Sequence, residues 1–258
     1  MSPLLNRMKL SQSDWLGSLK SIAVALLIAL VVRSLLFQPF NIPSGSMKPT
    51  LLVGDYLFVS KPAYGYSHQE FPWNLLPGSG RILASNPARG DVVVFRLPRD
   101  RSTDYIKRII GLPGDEILVR HGIVYINGQA APQAPAGTYD GPEEVPHAKP
   151  RYIETLPGGI QHYVIHGPRE DRLDNVGPFR VPDGHYFMMG DNRDDSLDGR
   201  VPAASGGVGY VPFENLVGRA DIVYYSAAVD DPKAAAQSVP WRWLSEIRWG
   251  RILEPLRS

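Results

Sequence analysis

The longest apolar stretch of the chain lies near its N-terminus, and its pattern differs from that of the rest. Residues 21–32 read SIAVALLIALVV, with no polar position after Ser21. A helix that packs on a protein core normally keeps a polar face, so this pattern argues against a buried globular helix. Extended to 15–37, the segment reaches the roughly 20 residues that a bilayer-spanning helix needs. Lys20 and Arg33 then lie near its ends, where long side chains reach the head groups.

Two kinds of membrane segment fit this run. A cleaved signal peptide fits the basic start, with Arg7 and Lys9, and the length of the apolar core. The following segment, RSLLFQPFNIP, lacks a small-x-small cleavage site, which favours an uncleaved anchor. The basic residues before the run predict a cytoplasmic N-terminus (1–14), a transmembrane anchor (15–37) and a remainder outside the cytoplasm.

Beyond residue 38 the apolar positions alternate or form short runs, which predicts strands. The sequence VRHGIVYING predicts a hairpin that turns at His121 and Gly122. The chain has 24 prolines, 25 glycines and 12 tyrosines, a composition that suits short strands joined by turns. We therefore expect a mainly β fold, with an N-terminal transmembrane helix followed by an antiparallel β-sheet domain with an inserted β subdomain. The predicted strands are 55–61, 91–97, 104–111, 115–120, 123–128, 184–191 and 218–226.

Prolines and weak strand signals set residues 129–182 apart, and we interpret them as the inserted subdomain between the two parts of the core, 38–128 and 183–226. Residues 64–89 form an aromatic loop, either an irregular excursion or a hairpin that faces membrane or substrate. The tail 227–258 is either a frayed end or an interfacial segment, because tryptophan rings and arginines favour the head-group region. Its relevant residues are Trp241, Arg242, Trp243, Arg248, Trp249 and Arg251.

Overall charge and cysteine content exclude several functions. The formal net charge is +1, which gives no reason to expect a nucleic-acid partner. There are no cysteines, so disulfides, thiolate metal sites and a cysteine nucleophile are excluded.

The segment NIPSGSMKPTLLVGD (41–55) carries two serines around one glycine, and a serine nucleophile needs a base beside it. Histidine is the usual base, but no histidine here lies in a dense motif. His162 and His166 are four residues apart, a spacing that suits a metal only on a helix. Alternation around them favours a strand, so we expect two solvated strand histidines.

Lysine is the other candidate base. Lys107 lies among apolar residues in DYIKRIIGLPGD, and burial without a counter-charge would lower its pKa enough to accept a serine proton. An outward-facing strand lysine is the alternative. On a strand, one of Lys107 and Arg108 faces inward and the other outward.

A third patch, GDNRDDSLDGR (190–200), is rich in acids. Asp194, Ser196, Asp198 and Gly199 match positions 1, 3, 5 and 6 of a calcium-binding EF-hand loop. Position 12 would be Ser205 rather than glutamate, and no helical pattern flanks the loop. We therefore expect no metal here, and a plain polar loop is the remaining alternative.

In this order behind an apolar run, these patches resemble bacterial type I signal peptidases (leader peptidases), a Ser-Lys dyad family. The matching segments are IPSGSMKPTLLVGDYLFVSK, RGDVVVFRLP, YIKRIIGLPGD, GDNRDDSLDGR and ENLVGRA. The resemblance implies a cofactor-free, membrane-bound serine endopeptidase that removes signal peptides from exported preproteins on the outer face of the cytoplasmic membrane. Its partners would be preprotein signal peptides and the phospholipid membrane. The rival interpretation is a membrane-anchored β-domain adhesion or binding module with a calcium loop at 190–200.

The resemblance also implies roles for single residues. Ser46 would be the nucleophile and Lys107 the general base, with the Ser44 hydroxyl joining the Ser46 backbone N–H as oxyanion hole. Ser196 would orient the lysine. Beside this site the Gly/Ala-rich stretch 201–210 is longer than the family pattern suggests. The remaining implied positions are the supporting charges Asp198 and Arg200, and the pocket residues Phe40, Ile42, Pro43, Met47, Leu51, Val94, Phe95, Tyr105 and Ile106.

Overall fold

The N-terminal part of the structure, a computed structural model that describes residues 12–67, 80–141, 148–228 and 246–256, is helical. Helix α1 runs over Gln12–Val31, and a π-helical turn follows at Val32–Leu36. The helical segment therefore ends before the expected residue 37, because Phe37 already pairs with Ser60 as the first residue of a strand. Within the described residues, no helix combines the length and apolarity needed to cross a membrane.

The rest of the described chain is mainly antiparallel β structure, as the alternating pattern predicts. Short 3₁₀ turns lie at Ala203–Ser205, Phe213–Asn215 and Trp249–Arg251. The strands are β1 (Phe37–Asn41), β2 (Asp55–Ser60), β3 (Tyr66–Ser67), β4 (Arg81–Ile82), β5 (Val92–Leu97), β6 (Asp100–Gly111), β7 (Glu116–Arg120), β8 (Ile123–Ile126), β9 (Gln129–Ala130), β10 (Gln133–Tyr139), β11 (Lys149–Leu156), β12 (Ile160–Ile165), β13 (Val176–Arg180), β14 (His185–Met189), β15 (Tyr210–Pro212), β16 (Leu216–Ser226) and β17 (Glu254–Pro255).

The largest sheet has the strand order β1-β2-β16-β5-β6-β14-β15, and β17 also pairs with β16. Strands distant in sequence thus lie side by side, since β16 separates β2 from β5. Strand β2 alternates buried and exposed positions, whereas β5 is buried at nearly every position and has both faces covered. This arrangement brings the segment before β2 close to β6.

The predicted hairpin turn at His121 and Gly122 is confirmed. Strands β7 and β8 pair antiparallel from Arg120 opposite Ile123. His121 and Gly122 have φ values of 49° and 74°, the positive values that a two-residue type I′ turn requires.

Residues 129–182 contribute to two separate sheets. Strands β10, β11 and β12 form a three-stranded sheet of their own, whereas β9 and β13 extend the β7–β8 hairpin to four strands. The expected loop at 64–89 contains the paired strands β3 and β4, and its residues 68–79 lie outside the described part of the chain.

The C-terminal segment 246–256 packs on the loop that precedes β2. Arg251 binds the buried carboxylate of Asp55 through Nη2 at 2.6 Å and Nε at 3.2 Å, and Nη2 also donates to the Thr50 carbonyl. Arg248 donates to the Val53 carbonyl at 2.8 Å. Trp249 is 65% exposed. Trp249 thus faces outward, whereas the two arginines bind the protein. Trp241, Arg242 and Trp243 lie outside the described residues, so the interfacial tail stays a prediction.

Candidate active site

A compact turn between β1 and β2 carries Ser46. Its two ends are tied together, because Ile42 N donates to the Asp55 carbonyl and Gly54 N donates to the Ile42 carbonyl. Met47 and Leu51 are fully buried in the core beside β2 and β5. The apolar residues of the turn therefore anchor it, and Ser46 is held at the edge of the core with 8% of its surface exposed.

Lys107 meets this serine from β6. Its Nζ is hydrogen-bonded to Ser46 Oγ at 2.5 Å and lies 3.0 Å from the Ile106 carbonyl oxygen. The side chain is 3% exposed, and burial lowers the pKa of Lys107 from 10.5 to about 8, because an ammonium is poorly solvated there. The carboxylates of Asp198 and Asp191 oppose this shift in pKa. The outward-facing alternative for Lys107 is thus wrong.

The loop 190–200 supplies those carboxylates, and both are paired with arginines inside the protein, Asp191 with Arg108 and Asp198 with Arg200. Asp198 is fully buried and binds Arg200 through both oxygens, at 2.9 Å each. Asp198 also accepts a hydrogen bond from Gly190 N. Ser196 Oγ is buried near the dyad and has no hydrogen-bond partner among the described residues. Its hydroxyl nevertheless lies near enough to the Asp198 carboxylate to help lower the pKa of Asp198.

Arg108 is buried as well, contrary to the expectation that one of Lys107 and Arg108 faces outward. Its Nε and Nη2 bind Asp191 at 2.9 and 2.7 Å, and Thr50 Oγ1 donates to the same carboxylate at 2.5 Å. The two side chains lie on opposite faces of β6, but the loop 190–200 covers the face that carries Arg108, so this side chain is buried too.

His162 is not a solvated strand histidine. It lies in strand β12 as expected, but it is 6% exposed, and its Nε2 lies 3.3 Å from Glu154 Oε2. Burial and the nearby Arg108 lower the pKa of His162. The alternating pattern of β12 does not reveal this, because the covering residues come from the distant loop 190–200.

A groove of about 410 Å³ opens over the serine and the lysine. Six of the nine residues expected in substrate pockets line it: Phe40, Ile42, Pro43, Val94, Tyr105 and Ile106. The other three, Met47, Leu51 and Phe95, are fully buried in the core and do not line this groove. Ser44 also lines it, as do Asp104, Asp195 and Leu197, which the sequence did not single out. Asp104 neighbours two expected pocket residues along β6, a signal that could have identified it.

At the floor of a mostly apolar groove, a serine hydroxyl is thus bound to a buried amine whose pKa is lowered. A nucleophile and a base in this arrangement define a serine hydrolase.

Comparisons with known proteins narrow this class. Residues 15–225 match the family model described as signal peptidase, peptidase S26. A signal peptidase I of Rickettsia typhi is 42% identical, with 92% of each chain covered. That of Rickettsia canadensis is 41% identical, covering 97% of this chain and 96% of its own. A crystal structure of a signal peptidase I from Enterococcus faecalis matches 52% of this chain and 97% of its own, at 25% identity and a TM-score of 0.31.

The chain belongs to the signal peptidase family, peptidase S26, and within it to the bacterial type I signal peptidases. It is therefore a serine peptidase, a hydrolase.

Proposed function

We propose that this protein is a membrane-bound endopeptidase that removes signal peptides from exported preproteins on the outer face of the cytoplasmic membrane, using Ser46 and Lys107 as a dyad. The observation that carries this proposal is the 2.5 Å hydrogen bond between Lys107 Nζ and Ser46 Oγ at the floor of the groove.

In the proposed reaction, neutral Lys107 takes the proton of Ser46 as Oγ attacks the scissile carbonyl carbon. The protonated lysine then gives that proton to the leaving amine, and an acyl-enzyme remains on Ser46. Water, activated by the same lysine, hydrolyses the ester. The carbonyl oxygen becomes negatively charged during each attack, and the Ser46 backbone N–H and the Ser44 hydroxyl stabilise it. The resemblance assigns Ser196 the role of orienting the amine, although Ser196 Oγ makes no hydrogen bond to Lys107 in this structure. Asp198 and Arg200 support the loop beside the amine.

The groove favours small substrate side chains. Ile42, Val94 and Ile106 belong to one packed cluster, so their positions along the wall are fixed by the core. Enlarging the groove would require the core to repack, which is costly. We propose that Phe40, Pro43 and Tyr105 complete the contact with substrate, while Met47, Leu51 and Phe95 act from behind by holding the walls.

The membrane part of the proposal depends on α1. Its large apolar side chains are exposed, with Leu26, Leu27 and Leu30 each at 60% or more. Such a run is unfavourable in water, so we propose that residues 15–37 associate with lipid as a single N-terminal anchor and that 1–14 stay in the cytoplasm. Residues 38–128 and 183–226 then form the catalytic core, 129–182 the inserted subdomain and 227–258 the tail. We propose that the reaction needs no cofactor and that the protein has no nucleic-acid partner.

The calcium-loop alternative fits the side chains of 190–200 poorly. Asp198 is bound by the Arg200 guanidinium, and Asp194 Oδ2 accepts the backbone N–H of Gly167 at 2.6 Å. A calcium ion would have to displace Arg200 to be coordinated by Asp198, because Arg200 binds both oxygens of that carboxylate.

The test is cleavage of a purified preprotein by the detergent-solubilised full chain. The intact protein should release the mature protein, and Ser46→Ala should not, while its melting temperature stays within a few degrees because only one oxygen is removed. Cleavage by Ser46→Ala at the parental rate would refute the proposed nucleophile.

A further inference from the structure

The sheet of β10, β11 and β12 is connected to the loop 190–200 by a buried ion pair that the proposed chemistry does not use. Glu154, in β11, has no exposed surface, and both its oxygens bind Arg193, with Oε1–Nη1 at 2.8 Å and Oε2–Nη2 at 2.5 Å. Gln133 Nε2 donates to Oε1 at 3.0 Å. A bidentate pair of this kind fixes the position and orientation of the guanidinium.

Arg193 passes this constraint to the lysine side of the site. Its carbonyl oxygen accepts a hydrogen bond of 2.6 Å from Arg200 Nη2, and Arg200 in turn binds both oxygens of Asp198. Among the charged groups that act on Lys107, Asp198 has the largest influence on its pKa. The others are Asp191, Asp195 and Arg200, and all four lie in the loop 190–200. The position of Glu154 therefore determines how this loop is placed against the amine.

The residue before Arg193 passes the same constraint to the serine side. Asn192 is fully buried, its backbone N–H donates to the Ser46 carbonyl at 3.1 Å, and its Nδ2 donates to the Gly45 carbonyl at 3.2 Å. Backbone hydrogen bonds between Ile165 of β12 and both neighbours of Asn192 attach this part of the loop to the same subdomain. Two consecutive loop residues thus connect Glu154 to the two sides of the dyad, Asn192 by hydrogen bonds to the Ser46 turn and Arg193 through Arg200 and Asp198.

We propose that Glu154 is a positioning residue for the dyad, acting from the inserted subdomain through Arg193; this inference rests on the proposed function. Without the carboxylate, the buried charge of Arg193 keeps only Asp191 and Asp198, which already bind Arg108 and Arg200. His162 of β12, whose Nε2 lies 3.3 Å from Glu154 Oε2, also loses its contact, so the loop has to rearrange. The rearrangement moves Asp198 relative to Lys107, and Asn192 relative to Ser46. A loop that holds Asp198 farther from the amine makes protonation of Lys107 less favourable, because the Asp198 carboxylate raises the pKa of Lys107.

The experiment compares the full-length parent with Glu154→Gln, Glu154→Asp and the control Glu116→Gln in preprotein cleavage across pH. Glu116 is a suitable control because it is an exposed strand residue whose hydrogen bonds to Asn127 use its backbone N–H and carbonyl groups. We expect Glu154→Gln to lower kcat at least tenfold with KM changed less than threefold, and to move the acid limb of kcat/KM to lower pH by at least half a unit. Glu154→Asp should return the acid limb to the parental pH, and Glu116→Gln should match the parent throughout.

Active-site titration separates positioning from loss of folded protein. A loss of activity that equals the loss of titratable sites, with an unmoved acid limb, would mean a structural role only and would overturn the proposal. A folded Glu154→Gln with parental kcat and pH profile would overturn it too, as would a Glu154→Asp acid limb displaced like that of Glu154→Gln. If Glu154→Gln does not fold, the test rests on kcat and the acid limb of Glu154→Asp. A reduced kcat together with an acid limb at the parental pH supports the proposal. Any other result overturns it. A parent whose cleavage does not depend on Ser46 refutes the proposed function instead.

Discussion

Replacing Gly190 with alanine tests how tightly the loop is fitted against the nucleophile. A Cβ at this position would lie 2.5 Å from the Ser46 carbonyl oxygen and would also overlap the Ser196 side chain. Ordinary contacts of this kind begin at 3.4 Å, so backbone atoms must separate by 3.4 − 2.5 = 0.9 Å. The Ser46 side must move, the loop must move, or both, and each of these movements disturbs the dyad.

A displacement of about 1 Å in a reacting group lowers the rate by about 100-fold, equivalent to about 2.7 kcal/mol of transition-state stabilisation. We therefore expect Gly190→Ala to lower the single-turnover rate of preprotein cleavage about 100-fold, with substrate binding changed only a few-fold because the groove walls are untouched. The control is Gly250→Ala, because a Cβ there has no atom within 4 Å.

Removing the Ser196 side chain tests whether the overlap with the Ser46 carbonyl causes the expected slowing of Gly190→Ala. The double variant Gly190→Ala/Ser196→Gly relieves the overlap with Ser196 but leaves the overlap with the Ser46 carbonyl, so it should be at least as slow as the single variant. Ser196→Gly alone is the matched control, because it shows how much of the slowing comes from losing the hydroxyl assigned to orient Lys107. A Gly190→Ala enzyme that is folded and cleaves within threefold of the parental rate would refute the reasoning, and so would full recovery in the double variant.

Three further predictions concern the dyad and its supports. Because burial lowers the pKa of Lys107 to about 8 in the free enzyme, kcat/KM should fall as pH decreases through about 8, where the amine becomes protonated. Lys107→Arg should be inactive at every pH tested, and near-parental cleavage by this variant would exclude Lys107 as the base. Ser44→Ala should lower kcat about 100- to 1000-fold, as expected for one oxyanion donor, and should keep residual activity that Ser46→Ala lacks; equal inactivity of the two would contradict these roles. Arg251→Leu leaves the buried Asp55 carboxylate short of its guanidinium partner, so the melting temperature should fall by several degrees and cleavage should slow; an unchanged thermal melt would show that this ion pair is dispensable.

Three of the strands that the sequence did not reveal share one physical feature. Strands β1, β10 and β13 each contain a proline within their length, at Pro39, Pro135 and Pro178, which weakens a strand prediction. All three strands lie at the edge of their sheets, where one row of backbone groups is unpaired and a missing N–H is tolerated. The central strands were predictable because β-branched and apolar residues dominate them.

At the site, the sequence and the resemblance together pointed to Ser46 and Lys107, and these side chains do meet. The support from Glu154 and the burial of His162 could not be predicted in the same way. Each depends on which distant segment covers a strand face, and the period of the strand itself holds no information about its cover. The groove aspartates differ in this respect. Asp104 could be predicted from its neighbours in β6, whereas Asp195 comes near β6 only in the assembled groove.

The ion pair between Arg251 and Asp55 joins residues 196 positions apart in the chain. The turn that carries Ser46 is synthesised early, but its flank at Thr50 and Asp55 receives its partner only after Arg251 has been synthesised. Contacts of such long sequence separation form slowly, because a large loop must close first. A chain that has been synthesised only as far as the strands around Ser46 therefore holds the Asp55 carboxylate without this guanidinium, and the turn that carries Ser46 gains this support late in synthesis.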